Sequence, residues 1–468
     1  MPIRIHRAHP SNGGTTMATI TITAADTATD TAALHATATA PAATPADVAA
    51  AKRFVSDFVD RSLPEYQKIS LAIHDKPEVS NYEFFASTTL ADQLKSEGFD
   101  VTVGVASHRT GFEAVYDTGR PGPTVVFLAD YDALPGIGHG CGHSVFGPNS
   151  SLAGAALKQV IDRFGGQVRV YGTPGEEGGE NGSAKGAFVD EGFFDDVDIA
   201  LCAHPASGGN HLSSRNLACQ PVDIEFRGKA SHASGSPELG VNALDGVIQT
   251  FNSINALRQH LPKDVRVHGI ITDGGGLPNV VPDYAKAKFY LRSASVPGLN
   301  ALRRKVENIV AGAALATGAK GSLTPYQHQV DNMIPTPLFD EVWERNAVSL
   351  GQRVEPTDQD KVSFGSSDVG NVSQVVPTIQ PSFAISPERL GGHNEQVAAA
   401  AASEFGLESI RWSSKALAYT ALDIITNPPL LDAIKRQHAE RVARQEQDAA
   451  GGVSRSGIQV ARMEGSAI

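Results

Sequence analysis

Three short, nearly continuous apolar runs, at residues 124–128, 168–171 and 199–203, constrain what this chain can fold into more than any other feature of it. Runs of that length suit strands covered on both faces, and helix-like segments around 152–163 and 183–190 lie between them. Strands alternating with helices predict an α/β layer whose mixed, largely parallel sheet is flanked by helices. Upstream, from 48 to 97, apolar residues recur at helical spacing in two stretches divided near Pro64 and again near Pro77, so the folded part is expected to open with helices.

A second pattern begins near Pro221. Residues 221–226, 265–272, 285–291 and 322–329 read as strands, and 243–261 and 299–316 as amphipathic helices. That order, βαββαβ, predicts a two-layer, ferredoxin-like unit of roughly 110 residues inserted into the first domain. After Asn332 a helix, a loop rich in Asp and Ser, a strand at 378–385 and a long final helix from about 398 return the chain to the first sheet. The expected division is therefore 48–220 with 332–445 as one domain and 221–331 as the insert. Residues 1–47 are expected to be a disordered Thr/Ala-rich leader, with Met17 a candidate start, and 446–468 a frayed tail.

Composition excludes several classes of function. With 468 residues and 41% apolar content the chain can bury a core in each of two domains. A net charge of -12 without any Lys/Arg-dense block argues against a nucleic-acid partner, which would need clustered positive charge. No apolar run approaches the roughly 18 residues that span a bilayer. Cys141, Cys202 and Cys219 cannot all pair, which fits a reducing, cytoplasmic setting.

The chemistry-bearing residues stand where the strands end: Asp130 and Asp132 after the first, Glu176 and Glu177 after the second, His204 after the third. In open parallel sheets ligands bind beyond the carboxyl ends of the strands, so these side chains are expected to converge on one crevice. The stretch His139-Gly-Cys141-Gly-His143 follows the first end, its glycines allowing a tight loop. Cysteine sulfur, imidazole nitrogen and carboxylate oxygen are all ligand types for zinc and related ions. One ion uses three or four of them; the surplus points to two divalent ions, Zn2+ or Mn2+, with one of the adjacent carboxylates free to move a proton. A lone His or Cys is more often structural, and Cys202, Cys219, His211, His260, His268, His328 and His438 lack any such setting.

Gly138-His-Gly-Cys-Gly-His143, Gly172-Thr-Pro-Gly-Glu-Glu-Gly-Gly179, Phe194-Asp-Asp-Val-Asp198 and Ser366-Ser-Asp-Val-Gly370 resemble motifs of the aminoacylase and carboxypeptidase family of dinuclear metallopeptidases, in the branch of the p-aminobenzoyl-glutamate hydrolases and Xaa-Arg dipeptidases. The resemblance runs from about residue 50 to 427. It implies a catalytic domain interrupted by a lid that forms a homodimer. It implies Cys141, His143, Glu177, His204 and His393 as metal ligands, Glu176 as general base, and Asp132 as a supporting residue. Gly228-Lys-Ala-Ser-His232 resembles the segment whose His steadies an oxyanion in the partner's active site, and Asn279 and Arg292 resemble substrate-carboxylate contacts. The implied activity is hydrolysis of a small N-acyl amino acid, aroylglutamate or dipeptide by a metal-activated water. Two rivals stand beside it: an amidase with Cys141 as nucleophile and His143 or His139 as base, and a non-catalytic binding protein on the same fold.

Overall fold

The computed structural model describes residues 43–453. The expected leader therefore lies outside the described residues up to 42, and the expected tail outside them from 454. Regular structure starts with α1 (Pro45–Asp75), whose first turn is fixed locally: the Thr44 hydroxyl accepts the Asp47 N–H while the Asp47 carboxylate accepts the Thr44 N–H. At the other end the last helix runs on to Val453, past the point where the tail was expected.

The elements follow in the order α2 (Phe84–Ser96), β1 (Asp100–Val103), β2 (Phe112–Asp117), β3 (Thr124–Ala129), α3 (His143–Ile161), β4 (Gln167–Gly172), α4 (Ala184–Asp190), β5 (Ile199–Leu201), β6 (His204–Ser207) and β7 (Asn210–His211). The inserted unit is β8 (Ala218–Arg227), α5 (Ala243–Arg258), β9 (Arg266–Asp273), β10 (Tyr284–Ser293), α6 (Val296–Thr317) and β11 (Lys320–Pro325). The chain then forms α7 (Pro337–Ser349), β12 (Val354–Glu355), α8 (Val369–Val375), β13 (Thr378–Ile379), β14 (Ser382–Ser386), α9 (Glu395–Ala401), α10 (Glu404–Ile425) and α11 (Pro428–Val453).

The main sheet has the order β1-β2-β4-β3-β5-β13. Strands β4, β3, β5 and β13 run parallel, and β1 and β2 are antiparallel additions at one edge. The sheet is mixed because β1 and β2 are joined by residues 104–111 alone, too short a link for a parallel crossover. Helix α3 packs against α1, α10 and the sheet, and all but two of its residues are buried.

Local expectation and structure part at Pro64, at Pro381 and along the final helix, each for a physical reason, and the strand expected at 322–329 is shifted to β11. Pro64 does not divide the first helix: Val55, Phe58, Val59 and Leu63 before it and Tyr66, Ile69 and Ile73 after it form one buried stripe, and that packing outweighs a proline penalty of about 3 kcal/mol. The single strand expected at 378–385 is two strands in two sheets, because Pro381 between them has no N–H for a ladder. The long final helix is three helices; the Ser403 hydroxyl accepts the Gly406 N–H and starts α10 afresh.

The insert is a four-stranded antiparallel sheet of order β11-β8-β10-β9 with α5 and α6 packed on one face, the ferredoxin-like βαββαβ arrangement. Phe226, Phe289, Leu291, Leu302 and Val306 are among its fully or almost fully buried core residues. In the main sheet the register that places the site is Ala129 opposite Gly172 and Phe127 opposite Leu201. Three parallel strands thus end at one level, and the residues that follow them share one edge.

Candidate metal centre

The loop before α3 is shaped by two glycines. Gly142 has φ +82°, and a Cβ there would lie 2.8 Å from the Pro205 side chain; a Cβ at Gly140 would meet Ile137 at 2.7 Å and the Asn394 backbone oxygen at 3.1 Å. These close approaches press the Cys141 loop against both the start of β6 and the segment carrying His393. His143 is then the first residue of α3, nine residues earlier than the apolar pattern suggested, because Gly142 supplies the left-handed turn into the helix.

The structure brings six of the expected residues together. One set is Cys141, His143 and His204, a second is Cys141, Glu177 and His393, a third is His143, Glu176 and Glu177; within each the ligand atoms lie within 4.8 Å of one another. Cys141 Sγ is 3.6 Å from His204 Nε2, His143 Nε2 is 4.0 Å from Glu176 Oε2, and His393 Nε2 is 3.5 Å from Glu177 Oε2. The first two sets share the Cys141 sulfur, which gives two adjoining three-ligand positions. The adjacent glutamates face different imidazoles, so they need not compete for one role.

Orientation comes from atoms behind the ligands. Asp132, fully buried, accepts a bond from His143 Nδ1 at 2.9 Å through one oxygen and from the Glu177 N–H at 2.9 Å through the other. It therefore fixes one imidazole and one glutamate at once. The Pro205 carbonyl holds His204 Nδ1 at 2.7 Å, which turns Nε2 inward. His393 sits at φ +57°, a strained conformation for a residue with a side chain, and is exposed at the rim.

Two buried ligand atoms, His143 Nε2 and Glu177 Oε1, have no hydrogen-bond partner among the described residues. Unpaired buried polar atoms are costly, and a cation between them would satisfy both. The donor set of one thiol, three imidazoles and one carboxylate fits zinc or manganese. Burial, then the neighbouring Glu177 charge, pushes the Glu176 carboxyl well above the usual range, so it is disposed to accept and hold a proton. Burial, then the His143 charge, pushes His204 down to about 3, which keeps it in the neutral form that ligates.

His143 lies beside Cys141 as the thiol rival requires, but the thiol itself is poorly suited to attack. Burial pushes the Cys141 thiol up to about 12, the opposite of the depressed value of a nucleophilic thiolate. His139, its alternative base, points Nε2 at the Ile73 carbonyl at 3.2 Å. Beneath the cluster, Lys185 is fully buried and reaches Asp130 and Asp368, each at 2.6 Å, tying the end of β3 to the start of α8.

The cluster opens into a cavity of about 780 Å³ that is also lined by residues of β9 and β10 in the insert. Arg292 lines it and donates to the Ser366 hydroxyl at 2.8 Å. His232 and Asn279 do not: both are exposed on the insert, where His232 bridges to Val280 and the Asn279 carbonyl accepts the Ala233 N–H. The cavity is also lined by Arg266 and Tyr290, which sequence patterning passed over, and by His268 and Cys219, which it had set aside as structural. The alternation along β9 and β10 puts Arg266, His268 and Tyr290 on one face, but only the pairing register shows that this face meets the metal cluster.

Among the described residues no helix is long and apolar enough to cross a membrane. Residues 221–317 match the peptidase dimerisation domain family. The chain is 34% identical over 401 residues to the Xaa-Arg dipeptidase of Mus musculus, covering 82% of this chain and 91% of that protein. It is 37% identical over 285 residues to one chain of the p-aminobenzoyl-glutamate hydrolase of Escherichia coli, 57% of this chain and 58% of that one. Its fold is similar, with a TM-score of 0.56 and 18% identity, to the YXEP protein of Bacillus subtilis, described as a dinuclear metal binding peptidase from M20 family; the match covers 78% of this chain and 99% of that chain.

Proposed function

Because this chain belongs to the M20 peptidase family, among amide-cleaving hydrolases that include the Xaa-Arg dipeptidases, we propose that the cluster around Cys141 is its catalytic centre and holds two divalent cations. The observation that carries this is the convergence of Cys141, His143, Glu177, His204 and His393 with two buried ligand atoms left unpartnered. Zinc or manganese bound there supplies Lewis acidity toward the amide carbonyl.

The chain's own residues do the rest. Glu176 takes a proton from the attacking water and returns it to the leaving amine, from its place 4.0 Å from His143 and next in sequence to Glu177. Asp132 holds His143 and the Glu177 backbone in place. Arg292 offers a planar fork to a substrate carboxylate. His232 and Asn279 complete the site of a second protomer, a reading supported by their exposure and by their absence from the lining of their own cavity. In this division 48–220 and 332–445 form the catalytic domain and 221–331 the lid and dimerisation domain. The three unpaired cysteines favour the cytoplasm.

The substrate is a small N-acyl amino acid, aroylglutamate or dipeptide. The relatives' names divide here, one placing arginine and the other glutamate on the amine side of the bond. A panel of such amides, offered to chelator-stripped protein and to protein resupplied with zinc or manganese, tests the reading. Cleavage restored by metal is the expected result; cleavage that survives complete metal removal, or none from any amide, overturns it.

A further inference from the structure

Strands β9 and β10 pair so that Arg266 lies directly opposite Arg292 and His268 directly opposite Tyr290. All four side chains line the cavity, on the sheet face opposite the buried Phe289 and Leu291. Like charges directly opposite in an antiparallel pair destabilise a sheet. Elsewhere on the same face such cations are neutralised: Lys286 contacts Asp223 at 2.5 Å and Glu225 at 3.1 Å, and Lys288 contacts Asp223 at 3.2 Å. Neither arginine has an ion-pair partner among the described residues. Their guanidinium groups have neutral neighbours only: Arg266 lies over the Phe364 ring at 5.2 Å and donates through one nitrogen, Nη1, to the Lys263 and Val265 carbonyls, and Arg292 lies over the Tyr290 ring at 5.3 Å.

At the cavity the charge of this pair has no carboxylate beside it. The acidic residues lining it are Glu176 and Glu177, both at the metal end, so the lid end presents positive charge alone. Burial, then the charges of Arg292 and of Arg258 outside the cavity, push the His268 imidazole down. A repulsive pair kept without a counter-ion at the wall of a reaction cavity is relieved when an anion arrives.

Resting on the amide-hydrolase reading above, we infer that the Arg266–Arg292 pair reads two carboxylates, and that the preferred substrates are amides of amino-dicarboxylic acids. Arg292 takes the α-carboxylate and Arg266 the side-chain carboxylate of an N-acyl glutamate or aspartate. A basic residue on the amine side would face two guanidinium groups across the same space and is disfavoured.

The test is a matched series sharing one acyl group, N-acyl derivatives of Glu, Asp, Gln, Leu and Arg, with the metal-reconstituted protein and its Arg266→Ala and Arg266→Lys variants. The expected kcat/KM for the Glu amide exceeds that for the isosteric Gln amide by on the order of tenfold or more, with the Arg amide poorest. Arg266→Ala collapses the Glu-to-Gln ratio towards unity, and Arg266→Lys retains part of it. The ratio is taken within each variant, so a general loss of activity does not disturb it. Competitive inhibition by free glutamate against glutamine gives a second readout without turnover and is expected to show the same preference. Efficient cleavage of the neutral amides with no acidic preference, or a ratio that Arg266→Ala leaves unchanged, overturns the inference while the hydrolase reading stands. Failure to cleave any amide overturns both.

Discussion

Asp132 shows how much of the proposed metal centre depends on residues behind the proposed ligands. It touches no open ligand position, yet one carboxylate orients the His143 ring and the Glu177 backbone together. Asp132→Ala is expected to weaken metal affinity about 10–100-fold with the fold intact, read by competition with a chromophoric chelator; unchanged affinity would make Asp132 a packing residue. Most of this residue-scale picture was legible in the sequence. Cys141, His143, Glu176, Glu177 and His204 stand at strand ends or in a Gly-flanked loop, where local sequence reports position in space. His393 was reachable only through family resemblance, since it approaches Cys141 through a tertiary contact at Gly140. Arg266 and His268 were missed for a related reason: their meaning depends on which residue pairs with which across two strands.

At the scale of elements, the Lys185 contacts bind β3, α4 and α8 into one support beneath the site. Breaking a buried ion cluster from one side strands the remaining charges, so Lys185→Met is expected to cost about 3–5 kcal/mol in urea unfolding. Replacing Asp130 and Asp368 by apolar residues in the same chain should recover much of that loss. Helix α7 is tied in a comparable way: Asp340, fully buried, accepts from the Ser213 backbone and hydroxyl and from Gln359. Burial pushes its carboxyl up to about 7, so the folded state holds a proton that the unfolded chain has already released. Stability from this group is therefore present below about pH 4 and falls as pH rises towards about 7. Thermal unfolding of Asp340→Asn should show a smaller decline across that window than the parent; an identical decline would mean the carboxyl is ionised throughout. Elements were less legible than residues where packing or a missing N–H overrode local pattern, as at Pro64 and Pro381.

For the whole molecule the decisive question is whether an active site draws on two chains. The βαββαβ order made the insert readable, because its strands and helices alternate with clear periodicity. What the insert does was not readable from pattern, since His232 and Asn279 are exposed and do not line their own cavity. If they act on a second protomer, mixing inactive His232→Ala and inactive Glu176→Ala chains creates one complete site in each hybrid dimer. Activity of about a quarter of the parent's is then expected from an equal mixture. No recovery in mixtures shown by native mass spectrometry to contain hybrids would place His232 outside the partner's chemistry.

The central claim is that this cluster holds two cations and that Glu176 moves the proton. The most direct test titrates chelator-stripped protein with zinc or manganese, following bound metal and amide hydrolysis together, for the parent and for Glu176→Gln. The account expects two ions per chain, activity that rises to its plateau only as the second is bound, and a Glu176→Gln protein that binds both yet loses about 10²–10⁴ in kcat. Full activity with no metal or with one ion per chain, or a fully active Glu176→Gln, would contradict it.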